Sequence, residues 1–265
     1  MPEDADRDSE QSPGGIDPAN LDALAADLRT ADTAFAFTGA GVSTASGIPS
    51  FRGEGGIWET EFDPRDFRIG RFETDPAGFW RDRLDLHDAM FPESVAPNPA
   101  HEALATLESA GVVDAVVTQN TDGLHAAAGS ERVLELHGTT SRVVCRRCGD
   151  RQPAAPVHDR VRDGEVPPTC DCGGVLKPDV VLFGEQLPRE TVAEARDLAA
   201  SADVVLAVGS SLQVEPAASI PRDAGRGGTL AVVNFDPTPL DDGAEYLFRA
   251  DVTDLLPALA RRVLG

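Results

Sequence analysis

Short unbroken apolar runs alternate along this chain with longer stretches whose apolar residues recur every third or fourth position. The unbroken runs read as strands buried on both faces, and the longer stretches as helices with one apolar side. Strands are predicted at residues 33–38, 112–118, 132–136, 204–209 and 229–234, with a shorter one at 246–249. Helices are predicted at residues 18–30, 99–110, 188–200, 216–224 and 251–263. Pro18, Pro99, Pro188 and Pro216 open four of these, in a first turn where the missing N–H is no loss. Such alternation predicts an α/β fold, a parallel sheet with helices on both faces. Two segments break the rhythm. Residues 51–97 read as a mostly helical excursion, and residues 141–176 are polar, contain cysteines and lack periodic apolar positions.

At 265 residues the chain has ample length for a core. Its charge is far from balanced: 23 Lys and Arg face 45 Asp and Glu, a net charge of −22, and Lys177 is the only lysine. A surface this negative repels nucleic acid and anionic membrane, so neither is expected as a direct partner. Abundant carboxylates with almost no lysine are also the composition of proteins that stay dissolved in concentrated salt, where a short Debye length screens self-repulsion. A halophilic protein is expected. No apolar run is long enough to span a bilayer and no basic, apolar leader opens the sequence, so a cytoplasmic location is expected. The expected state is a monomer.

The stretch Thr38-Gly39-Ala40-Gly41-Val42-Ser43-Thr44 follows the first predicted strand. Gly39 and Gly41 would let the backbone approach a pyrophosphate where a Cβ would collide, ahead of a phosphate-facing helix N-terminus. The dinucleotide pattern G-x-G-x-x-G is incomplete, because Thr44 holds the third glycine position. Further candidates gather at the carboxyl ends of other predicted strands, where open α/β sheets place their sites. Gln119, Asn120 and Asp122 follow one strand, His137 another, and Gly209, Ser210, Ser211 and Asn234 end two more. Histidine alone has the near-neutral pKa that a general base needs. Of the five, His137 lies at a strand end before Gly138. His101 reads as a packing or surface residue of a helix, His87 and His158 as solvated, and His125 as support for the loop holding Asn120 and Asp122. Asp122 also suits the N-cap of a helix beginning after Gly123.

Cys145-Arg146-Arg147-Cys148-Gly149 has the form of a metal knuckle, two thiolates on a tight turn. Its partner pair, Cys170 and Cys172, has one residue fewer between the cysteines than usual, and 21 residues separate the pairs. Two disulfides, a redox pair and an iron–sulfur site compete with a zinc ribbon. An intracellular setting disfavours disulfides, and nothing else suggests electron transfer. One structural Zn2+ held by Cys145, Cys148, Cys170 and Cys172 is expected, with the shortened pair as the weak point of its geometry.

Together these motifs resemble the sirtuins, the NAD-dependent protein deacylases. The glycine turn continues into Gly47-Ile48-Pro49-Ser50-Phe51-Arg52-Gly53, as in the family's first signature. Gln119-Asn120-Thr121-Asp122-Gly123-Leu124-His125 resembles its second, with Thr121 where isoleucine or valine is commoner, and Glu135-Leu136-His137-Gly138 resembles its catalytic-histidine motif. The segments 177–185, 208–216 and 233–238 continue the resemblance in the family's order.

The resemblance implies NAD as cosubstrate and a protein-lysine deacetylase. The acyl-lysine oxygen attacks C1′ of the nicotinamide ribose, nicotinamide leaves, and a histidine, here His137, deprotonates the ribose hydroxyls. The 2′-oxygen then attacks the carbon of the resulting imidate, and water completes the reaction, giving free lysine and 2′-O-acetyl-ADP-ribose. Asn120 is implied at the ribose and its water, Asp122 at the nicotinamide carboxamide with the Ile48 backbone, and Gln119 at the ribose. Phe51 would shield the reactive ribose face, and Arg52 would order the loop or the phosphates. Gly39, Ala40, Gly41, Ser43, Gly209, Ser210 and Ser211 would bind the cofactor around its phosphates, Asn234 and Asp236 near the adenosine ribose, and Asp251 and Val252 at the adenine. An acyl-lysine protein would lie as an added strand between Gly184-Glu185 and Gln213-Val214-Glu215, with Val181 and Phe183 lining the lysine tunnel.

The implied organisation is an acidic disordered tail at 1–16, a Rossmann-like NAD-binding domain at 17–141 and 177–265 with a helical insert at about 52–97, and a zinc-binding module at 142–176. Removal of other acyl groups, mono-ADP-ribosyl transfer and a non-catalytic NAD or zinc scaffold are the alternatives, and intact Asn120, Asp122 and His137 speak against the scaffold. Sirtuins that prefer succinyl or malonyl lysine carry a tyrosine and, three residues later, an arginine in the helical insert. Arg83 and Leu86 hold those positions, and the only tyrosine is Tyr246, so acetyl is expected to be preferred over succinyl.

Overall fold

The computed structural model describes residues 16–50, 56–92 and 94–265. Helix α1 (Pro18–Thr30) leads into β1 (Ala34–Thr38), and the excursion follows as α2 (Ile57–Thr60), α3 (Ile69–Thr74) and α4 (Pro76–Met90). Next come α5 (Pro99–Ser109), β2 (Ala115–Thr118), α6 (Leu124–Ala127), β3 (Val133–Glu135) and β4 (Gly138–Cys145). β5 (Arg151–Pro153), α7 (Ala154–Arg162) and β6 (Leu176–Val180) complete the cysteine-bearing region. The chain ends with α8 (Arg189–Ser201), β7 (Val204–Val208), α9 (Ser219–Ala224), β8 (Thr229–Val233), β9 (Tyr246–Phe248) and α10 (Val252–Leu264).

The six predicted strands form one parallel sheet in the order β3-β2-β1-β7-β8-β9. Winding reverses at β1, so the carboxyl ends of β1, β2 and β7 meet at a switch point. Ala34 and Ala36 pack toward α1, α5 and α10, while Phe35 and Phe37 pack toward α8 and α9. Covering on both faces is why these strands read as unbroken apolar runs. Asp17 caps α1 ahead of Pro18, and Asn98 with His101 makes a capping box ahead of α5. The helix predicted from Pro216 starts later, at Ser219.

Residues 141–176 hold more structure than the sequence pattern suggested. β4, β5 and β6 form an antiparallel sheet in the order β5-β4-β6, with α7 beside it. Phe67, Phe72, Phe79, Trp80 and Leu86 of the excursion share one core with Val143, Val157 and Leu176 of this region. Trp80 Nε1 donates to Leu176 O at 2.8 Å. The expectation that His87 and His158 are solvated is corrected here. Val157 and Val161 turn α7 inward, His158 is buried, and the two imidazoles stack edge to face at 4.3 Å. Burial pushes both down in pKa, His158 to about 4.

Candidate functional site

The site forms where the turns after β1, β2 and β7 converge. No α-helix follows β1; the chain makes two tight 3-10 turns, Ala40–Val42 and Thr44–Ser46, so the expected helix N-terminus is absent there. The glycines also have a different first duty from the one expected. A Cβ on Gly39 or on Gly41 would sit 2.8 Å from Gly209 O, and one on Gly209 would sit 2.5 Å from Val42 N. Gly209 itself has φ +58. Gly41 N–H donates to Gly209 O at 2.8 Å. These glycines let the β1 and β7 turns cross in contact, before any ligand is considered.

Beneath the turns lies a buried polar network. Ser43 Oγ donates to Asp122 Oδ2 at 2.7 Å and accepts from Asn120 Nδ2 at 3.0 Å. Asn120 Nδ2 also donates to Gly39 O, and its backbone N–H reaches Thr118 Oγ1 at 3.0 Å. Thr38 Oγ1 donates to Thr118 Oγ1, so it must accept from His125 Nε2 at 2.9 Å. His125 Nδ1 is then a buried lone pair without a partner. Burial, with His101 nearby, holds His125 down to about 3. His101 is no surface residue: it is fully buried, its Nδ1 accepts from Asn98 N–H, and its Nε2 points to Ser43 Oγ at 3.5 Å. Asp122 Oδ1 caps Leu124 N–H at 2.9 Å, so the capping role and the network role coexist.

His137 sits between β3 and β4. Gln119 O can only accept, so the 2.8 Å contact with Nδ1 fixes the proton there and leaves Nε2 as the basic lone pair. Burial lowers the pKa of His137, opposed by that hydrogen bond, so the ring is neutral near pH 7. The Gln119 side chain donates to buried Ser210 Oγ at 2.8 Å, joining the ends of β2 and β7. A cavity of about 350 Å³ opens beside Asp122, lined by His87, Phe91, Val95, Leu124, Thr140 and His158 among others.

The remaining predicted residues fall around this centre. Ile48 is buried with the insert, Ala40 and Gly41 are partly exposed, and Ser211 is exposed. Phe51 and Arg52 lie outside the described residues. Asn234 Nδ2 donates to Asp236 O, and Arg249 donates to the carbonyls of both. Asp251 caps α10 through Thr253 N–H, and Val252 is buried in the core. Phe235, between Asn234 and Asp236, is 65% exposed at the same edge; the sequence reading passed over it. A lone aromatic at a strand's carboxyl end was the available signal.

On the peptide side, Val181 N–H donates to His137 O at 2.8 Å. Phe183 pairs with the insert through Phe67 O and Ile69 N–H, and its ring meets Trp58 edge-on. Gly184 is exposed with φ +91, and Glu185 bonds Lys177. Opposite them, Gln213 is exposed, Val214 half-buried, and Glu215 paired with Arg222. Leu86 is buried in the insert's core, while Tyr246 on β9 donates to Asp27 of α1.

The four cysteine sulfurs lie within 4.8 Å of one another, with Cys145–Cys172 at 3.5 Å and Cys148–Cys170 at 3.8 Å. Tetrahedral Zn–S bonds of about 2.3 Å require S···S separations of about 3.8 Å. All four thiols are free. A Cβ on Gly174 would fall 2.6 Å from Cys145 Sγ, so glycine there is what lets the shortened Cys170–Cys172 pair close on the first. The donor set fits one structural zinc.

Comparisons with known proteins find related sequences and folds. The model of the Sir2 family matches residues 39–216. An NAD-dependent protein deacetylase of Haloarcula marismortui is 57% identical over 251 residues, 94% of this chain and 96% of that one. One from Saccharolobus solfataricus is 44% identical over 241 residues, covering 91% and 96%. A Sir2 variant solved with a deacetylated p53 peptide and 3'-O-acetyl ADP ribose superposes with a TM-score of 0.81 at 38% identity, covering 92% of this chain and 97% of that one. A Sir2–p53 peptide–NAD+ complex gives 0.79 at 38% identity, covering 91% and 96%.

Proposed function

The chain belongs to the Sir2 family, and we propose that it is an NAD-dependent protein-lysine deacetylase with His137 as general base. The observation that carries the role of His137 is its fixed tautomer: Nδ1 is anchored on Gln119 O, and Nε2 is left free at a strand end. NAD supplies an electrophilic ribose carbon and nicotinamide as leaving group. His137 takes the proton of a ribose hydroxyl on Nε2, and its lowered pKa keeps it in the basic form near neutrality. Asn120 and Asp122, both fixed by Ser43, present an amide to the ribose side and a carboxylate to the carboxamide side. The crossed turns of Gly39–Gly41 and Gly209–Ser210 receive the phosphates, and Asn234, Asp236, Phe235 and Asp251 receive the adenosine.

The acyl-lysine substrate runs between Gly184-Glu185 and Gln213-Glu215, its stem between Val181 and Phe183. Its partners are acetylated proteins, a reading supported by relatives solved with peptides, and the cytoplasm is the proposed setting. Among the described residues, no helix is long and apolar enough to cross a membrane. Incubating an acetyl-lysine peptide with the protein, with and without NAD and across salt concentrations, tests the reading by mass spectrometry. The peptide should lose its acetyl group only with NAD, and each event should release one nicotinamide from NAD. Deacetylation without NAD would refute it, and a peptide gaining ADP-ribose would favour transfer instead.

A further inference from the structure

Lys177, the chain's only lysine, stands on β6 and is 5% exposed. Its Nζ donates to Val180 O at 2.7 Å and to Glu185 Oε2 at 2.9 Å. The same carboxylate oxygen accepts the Leu182 N–H at 2.8 Å. These bonds close residues 177–185 into a ring that encloses the segment 181–184. That segment is also held from outside, Val181 by His137 O and Phe183 by Phe67 and Ile69. A compact ammonium with three donors bonds a carbonyl and a carboxylate at once. All 22 other Lys and Arg positions carry arginine, so this one amine stands out against the composition of the whole chain.

We propose that Lys177 is a positioning residue for deacetylation: through Glu185 and Val180 O it keeps residues 181–184 as a preformed strand for the acyl-lysine peptide, in register with His137. The proposal rests on the deacetylase reading above. Apart from the Val181 bond to the His137 backbone carbonyl, the ring faces the peptide side, and the turns assigned to the phosphates and adenosine of NAD hang from β1, β7 and β8. Loosening it therefore separates the two substrates. Burial lowers the pKa of Lys177 and Glu185 opposes that shift, as for an amine enclosed with its counter-charge.

The test compares Lys177→Met and Lys177→Arg with the wild type. Steady-state constants for peptide and NAD are measured, together with equilibrium binding of a labelled acetyl-lysine peptide. Lys177→Met should raise peptide KM and Kd by about tenfold or more, the scale for an orphaned buried charge, and move the NAD KM by less than about twofold. Lys177→Arg should recover part of the loss by keeping the charge. Peptide constants within about twofold of wild type, or peptide and NAD constants rising together, overturn the proposal. If Lys177→Met fails to fold, Lys177→Gln is read the same way, since its shorter neutral amide removes the ammonium and keeps a polar end. A wild type without NAD-dependent turnover would strike the deacetylase reading alone, because peptide binding still reports on Lys177.

Discussion

Acid should weaken this fold through His125, and the size of the effect follows from its surroundings. The ring is 2% exposed, spends its one proton on Thr38 Oγ1, and leaves Nδ1 with no partner to stabilise a charge. Its pKa is about 3 in the fold, against a reference of 6.5. A depressed histidine means that the unfolded chain binds the extra proton first. Stability is therefore full above the unfolded value and is lost as pH falls from 6.5 toward 3. From about pH 7 to about pH 5 the unfolded state gains about 0.7 of a proton and the folded state almost none, a loss of about 2 kcal/mol. Denaturant melts of wild type and His125→Gln at both values isolate the term, since the glutamine amide still reaches Thr38 and cannot titrate. Thiolate and carboxylate protonation acts on both proteins and cancels in the difference. Wild type should lose about 2 kcal/mol more than the variant over this interval. Equal losses would show that His125 is solvated or paired in solution, and would break the account of the Thr38–Thr118–Asn120 network.

His137→Ala should lower turnover by about 10²–10⁴-fold with NAD binding retained, measured by steady-state kinetics and calorimetry; near wild-type activity would move the base elsewhere. One zinc per chain should be found by metal analysis, and Cys172→Ala or chelation should lower the melting temperature and unfold the β4-β5-β6 region; a metal-free native protein or mapped disulfides would refute this. Acetyl-lysine should be cleaved faster than succinyl-lysine on the same peptide, because Leu86 is buried and Asp82 and Asp85 lie on the same helix; faster desuccinylation would place an arginine of α4 in the pocket.

The main sheet was legible because burial on both faces writes a strand as a bare apolar run, as in Phe35-Ala36-Phe37 and Val204–Val208. Helix starts were legible where a capping side chain and a proline coincide, as at Asp17-Pro18 and Asn98-Pro99. The second sheet was not, since β5 is three residues of arginine, glutamine and proline, and β6 carries a lysine, a proline and an aspartate. Its strands are tied together by the clustered cysteines and by Trp80 across a gap of 96 residues, contacts that leave no local strand pattern. His101 stayed open between packing and surface for the same reason: one turn into α5 it looks like any helical polar residue, and only the fold buries it and brings Ser43 to its ring. The first duty of the glycines was not legible either, because the collision they avoid is with Gly209, more than 160 residues away.

An enzyme that works on acylated amines lives among the reactive acyl donors that make them. Its own amines are then targets of the damage it reverses elsewhere. Here the only side-chain amine is enclosed between Val180 O and Glu185, so acylating it requires breaking both bonds and opening β6. Arginine carries the rest of the positive charge and resists acylation at neutral pH. In the folded state the protein therefore presents no lysine of its own to compete with its substrates, and amine-directed labels added to a reaction mixture should mark the substrate's lysines while sparing Lys177.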